Sequence, residues 1–376
     1  MKQTVLGALL LALPAAWLMD PAGAGTAGEP APVAGDYKLL EPITHGDLTV
    51  FPVVSTKTHD TNGFLTLDEG IRSGEVVVTE VGNLHTGMRR RPLPQNFSGA
   101  AQVNRLVLVN NSSRPLILLA GEIVTGGKQD RVVAKDRIVP AESDPVDLGV
   151  FCVEPHRWVG TSGKFDTHAS VMAQPSVRKK AMVEKDQQQV WDAVGQANSS
   201  FSANARAAAP PRSASETVEV TAGIAALESN SSYAGARENK VVDKQVQSIT
   251  EPMQKSYESL IRQLRNQNAV GVVVAVKGRI VWADLFASGS LLTKYWPKLL
   301  QSYAAEALTT PGDHREVSVK DAQQFLDNWQ ARHETVDSEP GLYRQRELVG
   351  DRFRAFELTS LLPKANFDVH LSKMAD

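Results

Sequence analysis

Between Leu48 and Val153 the apolar residues come in short runs separated by turn-forming clusters, and this pattern constrains the fold more than any other feature of the chain. Leu48–Val54 is rich in strand formers, although Pro52 suits an edge strand because it cannot donate to a ladder. Ser73-Gly74 precedes the run Glu75–Glu80, and Leu106–Val109 ends at Asn110-Asn111-Ser112-Ser113. Pro115–Val124, Asp130–Val139 and Val146–Val153 follow. Such runs predict an antiparallel sandwich or barrel-like region over residues 37–167.

The pattern changes beyond residue 167. Over 168–239 the sequence predicts one helix, Pro175–Gln196, with Val183, Val190 and Val194 on one side. Asn198–Ser215, rich in Ser, Ala, Asn and Pro, reads as a flexible linker. Residues 240–376 mix both periods. Pro252 is suited to open a helix that carries Met253, Tyr257, Leu260, Ile261 and Leu264. Val270–Phe286 reads as a hairpin turning at Lys277-Gly278. Leu291, Leu292, Tyr295, Trp296, Leu299, Leu300 and Tyr303 form a helical stripe that Pro297 should kink. Ala322–Trp329 reads as a shorter helix, and Phe353–Leu358 and Phe367–Leu371 as closing strands. The expected fold class is α+β: an N-terminal antiparallel β sandwich or barrel followed by helices packed on a smaller antiparallel sheet.

The first 24 residues have the form of an export signal. Lys2 supplies the charge, Thr4–Met19 the apolar run, and Ala22-Gly23-Ala24 the small residues of a cleavage site. The apolar run is broken by Pro14 and closed by Asp20, which makes it too short for a span of about 20 residues. The expected destination is therefore the periplasm or the exterior, with no stable membrane insertion after cleavage. Residues 25–36 are expected to be a disordered lead-in. A net charge of −2 gives no field that would draw the chain to nucleic acid. A single cysteine, Cys152, rules out an intramolecular disulfide, so stability must come from packing.

The densest chemistry lies in Pro115–Trp158. If Gly126-Gly127 is a two-residue turn, Glu122 faces Arg131 across the hairpin, with Gln129 on the same side and Lys128 on the other. A Glu–Arg pair can simply set register, contributing roughly 0.2–1 kcal/mol. Partly buried, it can instead bind a polar ligand, because a guanidinium grips carboxylate or phosphate in bidentate fashion. The strand exit Glu154-Pro155-His156-Arg157-Trp158 adds a second polar cluster. Cys152 is expected to be a buried thiol, and Trp158 to cap the core. Arg89-Arg90-Arg91 reads as a solvated loop, and Asp284 as a turn or helix-start residue. No HExxH, calcium-loop or GxSxG spacing occurs, so neither a metal nor a cofactor is expected.

The segments LLAGEIVTGGKQDRVV, DRIVP and VFCVEPHRW, with VGVVVAVKGRIVWADLF and YWPKLLQSYAAEAL further on, resemble the bacterial ARG-and-rhodanese-phosphatase-superfamily-associated protein domain family over roughly Tyr37–Leu308. By its name and genomic company, the resemblance implies a role near ADP-ribose or phosphate-ester chemistry. Two functions remain open. One is an exported accessory or binding protein that holds a small polar or anionic ligand through Glu122, Gln129, Arg131, Lys128 and Arg157. The other is a hydrolase in which Glu122 or Glu154 is the base and Arg131 and Lys128 stabilise developing charge. A purely structural or protein-interaction role is the third reading.

Overall fold

A computed structural model describes residues 36–88, 102–207, 213–264 and 268–376. The export signal, the lead-in up to residue 35 and the Arg89–Arg91 run lie outside them. The N-terminal part contains β1 (Tyr37–Leu39), β2 (Ile43–His45), β3 (Leu48–Ser55), β4 (Leu65–Thr66), α1 (Leu67–Arg72) and β5 (Val76–Thr79). Next come β6 (Arg105–Asn110), β7 (Leu116–Leu118), β8 (Glu122–Gly126), β9 (Arg131–Val133), β10 (Arg137–Val139), β11 (Val146–Cys152) and β12 (Phe165–Met172). A helical stretch follows: α2 (Pro175–Lys179), α3 (Gln187–Ala207), α4 (Ala214–Ser229), α5 (Tyr233–Glu238) and α6 (Lys240–Gln263). The C-terminal part is β13 (Asn268–Val276), β14 (Arg279–Phe286), α7 (Gly289–Thr309), α8 (Val319–Asp327), β15 (Ala331–Glu339), β16 (Tyr343–Gly350), β17 (Phe353–Leu362) and β18 (Ala365–Ala375).

The fold is α+β. Six strands close a barrel in the order β11-β6-β5-β12-β8-β9, and β10-β7-β4 form a small sheet. The other sheet has nine strands in the order β1-β3-β13-β14-β18-β17-β16-β15, with β2 also on β3. It is the larger sheet, not the smaller one expected. It also takes β1–β3 from the N-terminal region, with β3 antiparallel to β13 from Val276↔Leu48 to Asn268↔Ser55. Pro52 is tolerated in this interior strand where the pairing shifts, next to the irregularity between Ala269 and Gly271.

Three local expectations are corrected. The helix over 175–196 is broken: Lys180–Glu184 forms a π-turn and Lys185 is left-handed at φ 51°, which ends the first segment. The expected linker is helical to Ala207 and buries Phe201 and Ala205. Pro252 lies inside α6 rather than at its start, because Val242 and Val246, about three and two turns earlier, are themselves anchored in the core. The Lys277-Gly278 turn has positive φ at both residues, 51° and 75°, as a tight hairpin requires.

Helix α7 lies at the centre. Ser288 caps it by accepting from Leu291 N, and Pro297 sits within it without ending it. One side meets the barrel and the small sheet, where Ser302 Oγ donates to Ala173 O, just past β12, at 2.8 Å and Tyr295 OH to Ile117 O of β7 at 3.3 Å. The other side packs on the large sheet, with Phe286 stacked on Tyr295 at 5.5 Å. One apolar cluster joins Ile117, Ile123 and Val171 from the barrel side to Val272, Trp282 and Leu358 of the sheet. The barrel and the sheet therefore share a core. Leu299, fully buried in that core, should cost about 2–5 kcal/mol of unfolding free energy when replaced by Ala, measured by urea denaturation.

Candidate functional site

The central hairpin does not close as a two-residue turn. Val124 faces Arg131 and Ile123 faces Val132, a shift of two residues from the tight register. Gly126 and Gly127 do take positive φ, 117° and 50°, but Asp130 Oδ1 accepts from Gly126 N at 3.0 Å and holds the loop open. Gly127 cannot carry a side chain, since a Cβ would lie 2.3 Å from the Phe165 ring.

Glu122 and Arg131 consequently never meet. Glu122, 1% exposed, pairs with Lys298 Nζ of α7 and accepts from Leu119 N at 2.7 Å. Lys298 also reaches Asp68 of α1 at 2.8 Å. Burial, reinforced by Asp68, raises the Glu122 pKa against the pull of Lys298. Burial opposes the Lys298 charge, but the two carboxylates hold its pKa above the ordinary value.

The other predicted residues do gather at one corner of the barrel. Arg131 is fully buried 3.9 Å from Glu80, and its Nη1 donates to Gln129 O at 2.7 Å. Its Nε and Nη2, and Gln129 Oε1, find no hydrogen-bond partner among the described residues. Burial lowers the Arg131 pKa. Gln129 Nε2 donates to Glu154 O, and Glu154 Oε2 accepts from Asp130 N at 3.0 Å. Arg157 Nε donates to Glu154 Oε1 at 2.6 Å, and Nη1 to Val159 O and Gly127 O. These bonds clamp the hairpin loop to the strand exit. Trp158 is 43% exposed, not a core cap, and Lys128 Nζ lies 4.9 Å from its ring. Cys152 is buried, and burial raises its thiol pKa, as suits an inert side chain.

The same stretch also forms an open cleft of about 390 Å³. Eight of its ten lining residues come from 115–158: Leu118, Ala134, Lys135, Arg137, Leu148, Gly149, Val150 and Phe151, with Asn104 and Lys185 completing it. The floor is apolar and the rim is cationic. Each rim cation pairs with a carboxylate of β15 or β16: Lys135 with Asp337, Arg137 with Glu339 at 3.3 Å, and Lys185 with Glu347 at 3.4 Å. A smaller pocket, lined by Met182, Thr335, Gln345 and Phe356 among others, shares Ala134, Lys135 and Lys185 with it. Composition signalled none of this, because the rim partners come from a strand some 200 positions away in the chain.

Between barrel and sheet lies a sealed charge network that sequence reading missed. His370 Nδ1 meets Asp136 Oδ2 at 2.6 Å and its Nε2 meets Asp284 Oδ1 at 3.0 Å. Arg178 grips both Asp284 oxygens, at 2.9 and 3.1 Å, and Tyr303 OH donates to the same carboxylate. Asp136 Oδ1 accepts from Ala120 N at 2.7 Å. Asp284, expected at a turn, lies within β14 and is fully buried, because Arg178 and His370 neutralise it there. Burial disfavours the imidazolium, yet Asp136 and then Asp284 outweigh it and push His370 up from 6.5 to about 9. Burial would raise Asp284, but Arg178 and His370 hold it well below the usual range. The stabilisation tied to His370 is thus complete below pH 6.5 and lost as pH rises through about 9. The melting temperature should fall across that interval, and His370→Gln should abolish this titration in a pH series of thermal melts.

Among the described residues no group of three or more His, Cys, Asp or Glu is placed to hold a metal ion, and no helix is long and apolar enough to cross a membrane. Comparison with curated proteins finds no match, and neither does comparison with solved structures. A family model matches residues 36–374, beyond the span that the sequence motifs cover. The chain belongs to the family described as ARG and Rhodanese-Phosphatase-superfamily-associated Protein domain.

Proposed function

We propose that this chain is an exported binding protein that holds a small organic anion with an apolar body in the cleft beside the central hairpin. The observation that carries the reading is the cleft's two-part lining. Half-buried Ala134 and Phe151 offer apolar surface above the core residues Leu118, Leu148 and Val150, and Lys135, Arg137 and Lys185 stand at the rim. Its volume of about 390 Å³ falls in the range of small-molecule sites. The rim cations already hold carboxylates, so the site is arranged for that chemistry. These pairs are exposed or half-exposed, and such pairs typically contribute about 0–1 kcal/mol. An incoming carboxylate or phosphate can therefore replace them at little cost.

The ligand site expected at Glu122, Gln129, Arg131, Lys128 and Arg157 moves by this reading to the adjoining strands. Gln129, Arg157 and Glu154 are engaged with one another at the hairpin loop, and Glu122 with Lys298. A hydrolase would need a free base facing the ligand; neither Glu122 nor Glu154 lines the cleft, and the carboxylates beside it, Asp337, Glu339 and Glu347, are paired with the rim cations. That favours binding over turnover.

Gly149 gives a clean test. It lines the cleft, and a Cβ there meets nothing within 4 Å, so Gly149→Phe should fold normally while filling the site. In calorimetric titrations with medium-chain and aromatic carboxylates and phosphate monoesters, the parent chain should bind at least one class. Gly149→Phe should remove that binding, and Lys135→Ala with Lys185→Ala should weaken it about tenfold. No binding of any class to the parent chain would sink the proposal. Export rests on the Lys2 to Ala24 pattern. Intact mass of the protein recovered from the expressing cells' envelope or medium should place its first residue at Gly25; an uncleaved Met1 would refute export with cleavage.

A further inference from the structure

A separate cavity, about 210 Å³, lies between the start of α2, the face of α3 and the last turn of α7. We propose that it binds a small primary ammonium ion, with Glu306 as the counter-charge. Glu306 is 8% exposed and lines the cavity. Its Oε2 accepts from Ser176 N at 3.1 Å, Ser176 Oγ at 2.8 Å and Gln174 Nε2 at 3.0 Å. All three donors are neutral, and no Lys, Arg or His among the described residues forms an ion pair with this carboxylate. Buried charges are ordinarily paired. Burial raises the Glu306 pKa against the pull of Ser176 and Gln174, and a cation in the cavity would hold the carboxylate ionised.

The helix supplies an independent reason for a cation. Glu306 sits in the last turn of α7, a helix of 21 residues with no basic residue in that turn. The C-terminus of a helix carries roughly half a negative charge and is stabilised by cations. An acid at that end is the unfavourable choice, and among the described residues no cation is paired with it there. Neutral groups cover the end: Thr310 Oγ1 donates to Glu306 O at 2.8 Å, Thr309 Oγ1 to Ala305 O at 3.0 Å, and Asn204 Nδ2 to Leu308 O.

The remaining lining fixes the ligand class. A primary ammonium has three donors and no acceptor. The carboxylate and the Thr310 hydroxyl oxygen, whose proton is already committed to Glu306 O, can accept from it. Ala193, Ala197 and Pro311 offer apolar surface for a short alkyl tail. The exposed residues Ser176 and Gln196 stand at the cavity's outer side and give a route in. A quaternary ammonium has no N–H for these acceptors, and an alcohol brings no charge.

Calorimetry or chemical-shift titration of the whole chain with methyl-, propyl- and butylammonium chloride decides the matter, with tetramethylammonium, potassium and 1-propanol run alongside. The expected result is saturable binding of a primary ammonium, absent with 1-propanol and tetramethylammonium. Glu306→Gln keeps an acceptor for Ser176 and should weaken binding about tenfold or more. Ala193→Leu narrows the cavity without touching Glu306 and should also remove binding, which settles the question if the first variant fails to fold. Absence of saturable binding to the parent chain overturns the proposal. So does equal binding of potassium or 1-propanol, or binding that survives in both folded variants.

Discussion

The arrangement of barrel against sheet depends on one carboxylate. Asp284 in β14 is met by Arg178 from α2, Tyr303 from α7 and His370 from β18, and His370 reaches on to Asp136 between β9 and β10. Two acids and two bases neutralise one another out of contact with water. Assembling such a set costs desolvation energy, and removing one member leaves an uncompensated buried charge at a penalty of about 3–5 kcal/mol. Its contribution is geometric. Five segments far apart in sequence can satisfy these groups in only one relative position. Apolar packing between barrel and sheet would tolerate small slides; the network does not.

Much of the local structure could be read in the chain. The Lys277-Gly278 hairpin formed as its residues demand, and the Leu291–Tyr303 stripe became a helix with most of its residues buried. Short apolar runs gave strands that close a barrel. What could not be read is long-range. Nothing in Leu48–Ser55 says that its partner is Asn268–Val276, because an apolar strand pairs equally well with any other. The network was hidden for the same reason. Asp136, Asp284 and His370 each look like ordinary polar residues until three distant strands and loops bring them together.

The hairpin shows how a side chain can override turn chemistry. Gly126-Gly127 favours a two-residue turn, but Asp130 bonds back to Gly126 N and forward to Ser232 Oγ. Those bonds lengthen the loop and move Arg131 two positions from Glu122. Parity is preserved, so the apolar residues still face inward while every cross-strand partner changes. The polar residues around the loop then act as a clamp, and the cleft opens on the flank of β9 and β11. Short helix α2 ties these regions together, with Ser176 turned to Glu306 and Arg178, two residues on and on the other side of the same turn, to Asp284.

The position of β18 bears on how the molecule is made. It pairs with β14 on one side and β17 on the other, in the middle of the large sheet, and carries His370. Residues 365–375 leave the ribosome after both of the strands they pair with. Until they do, the sheet has a gap at its centre and Asp136 and Asp284 lack their shared partner. The core therefore cannot be completed before these residues emerge. Pairings between β3 and β13 that span more than 200 residues add further delay, since such contacts must wait on loop closure. A sheet organised in this way stays open at its centre until its last-made strand arrives, so its two halves are joined in a single late step.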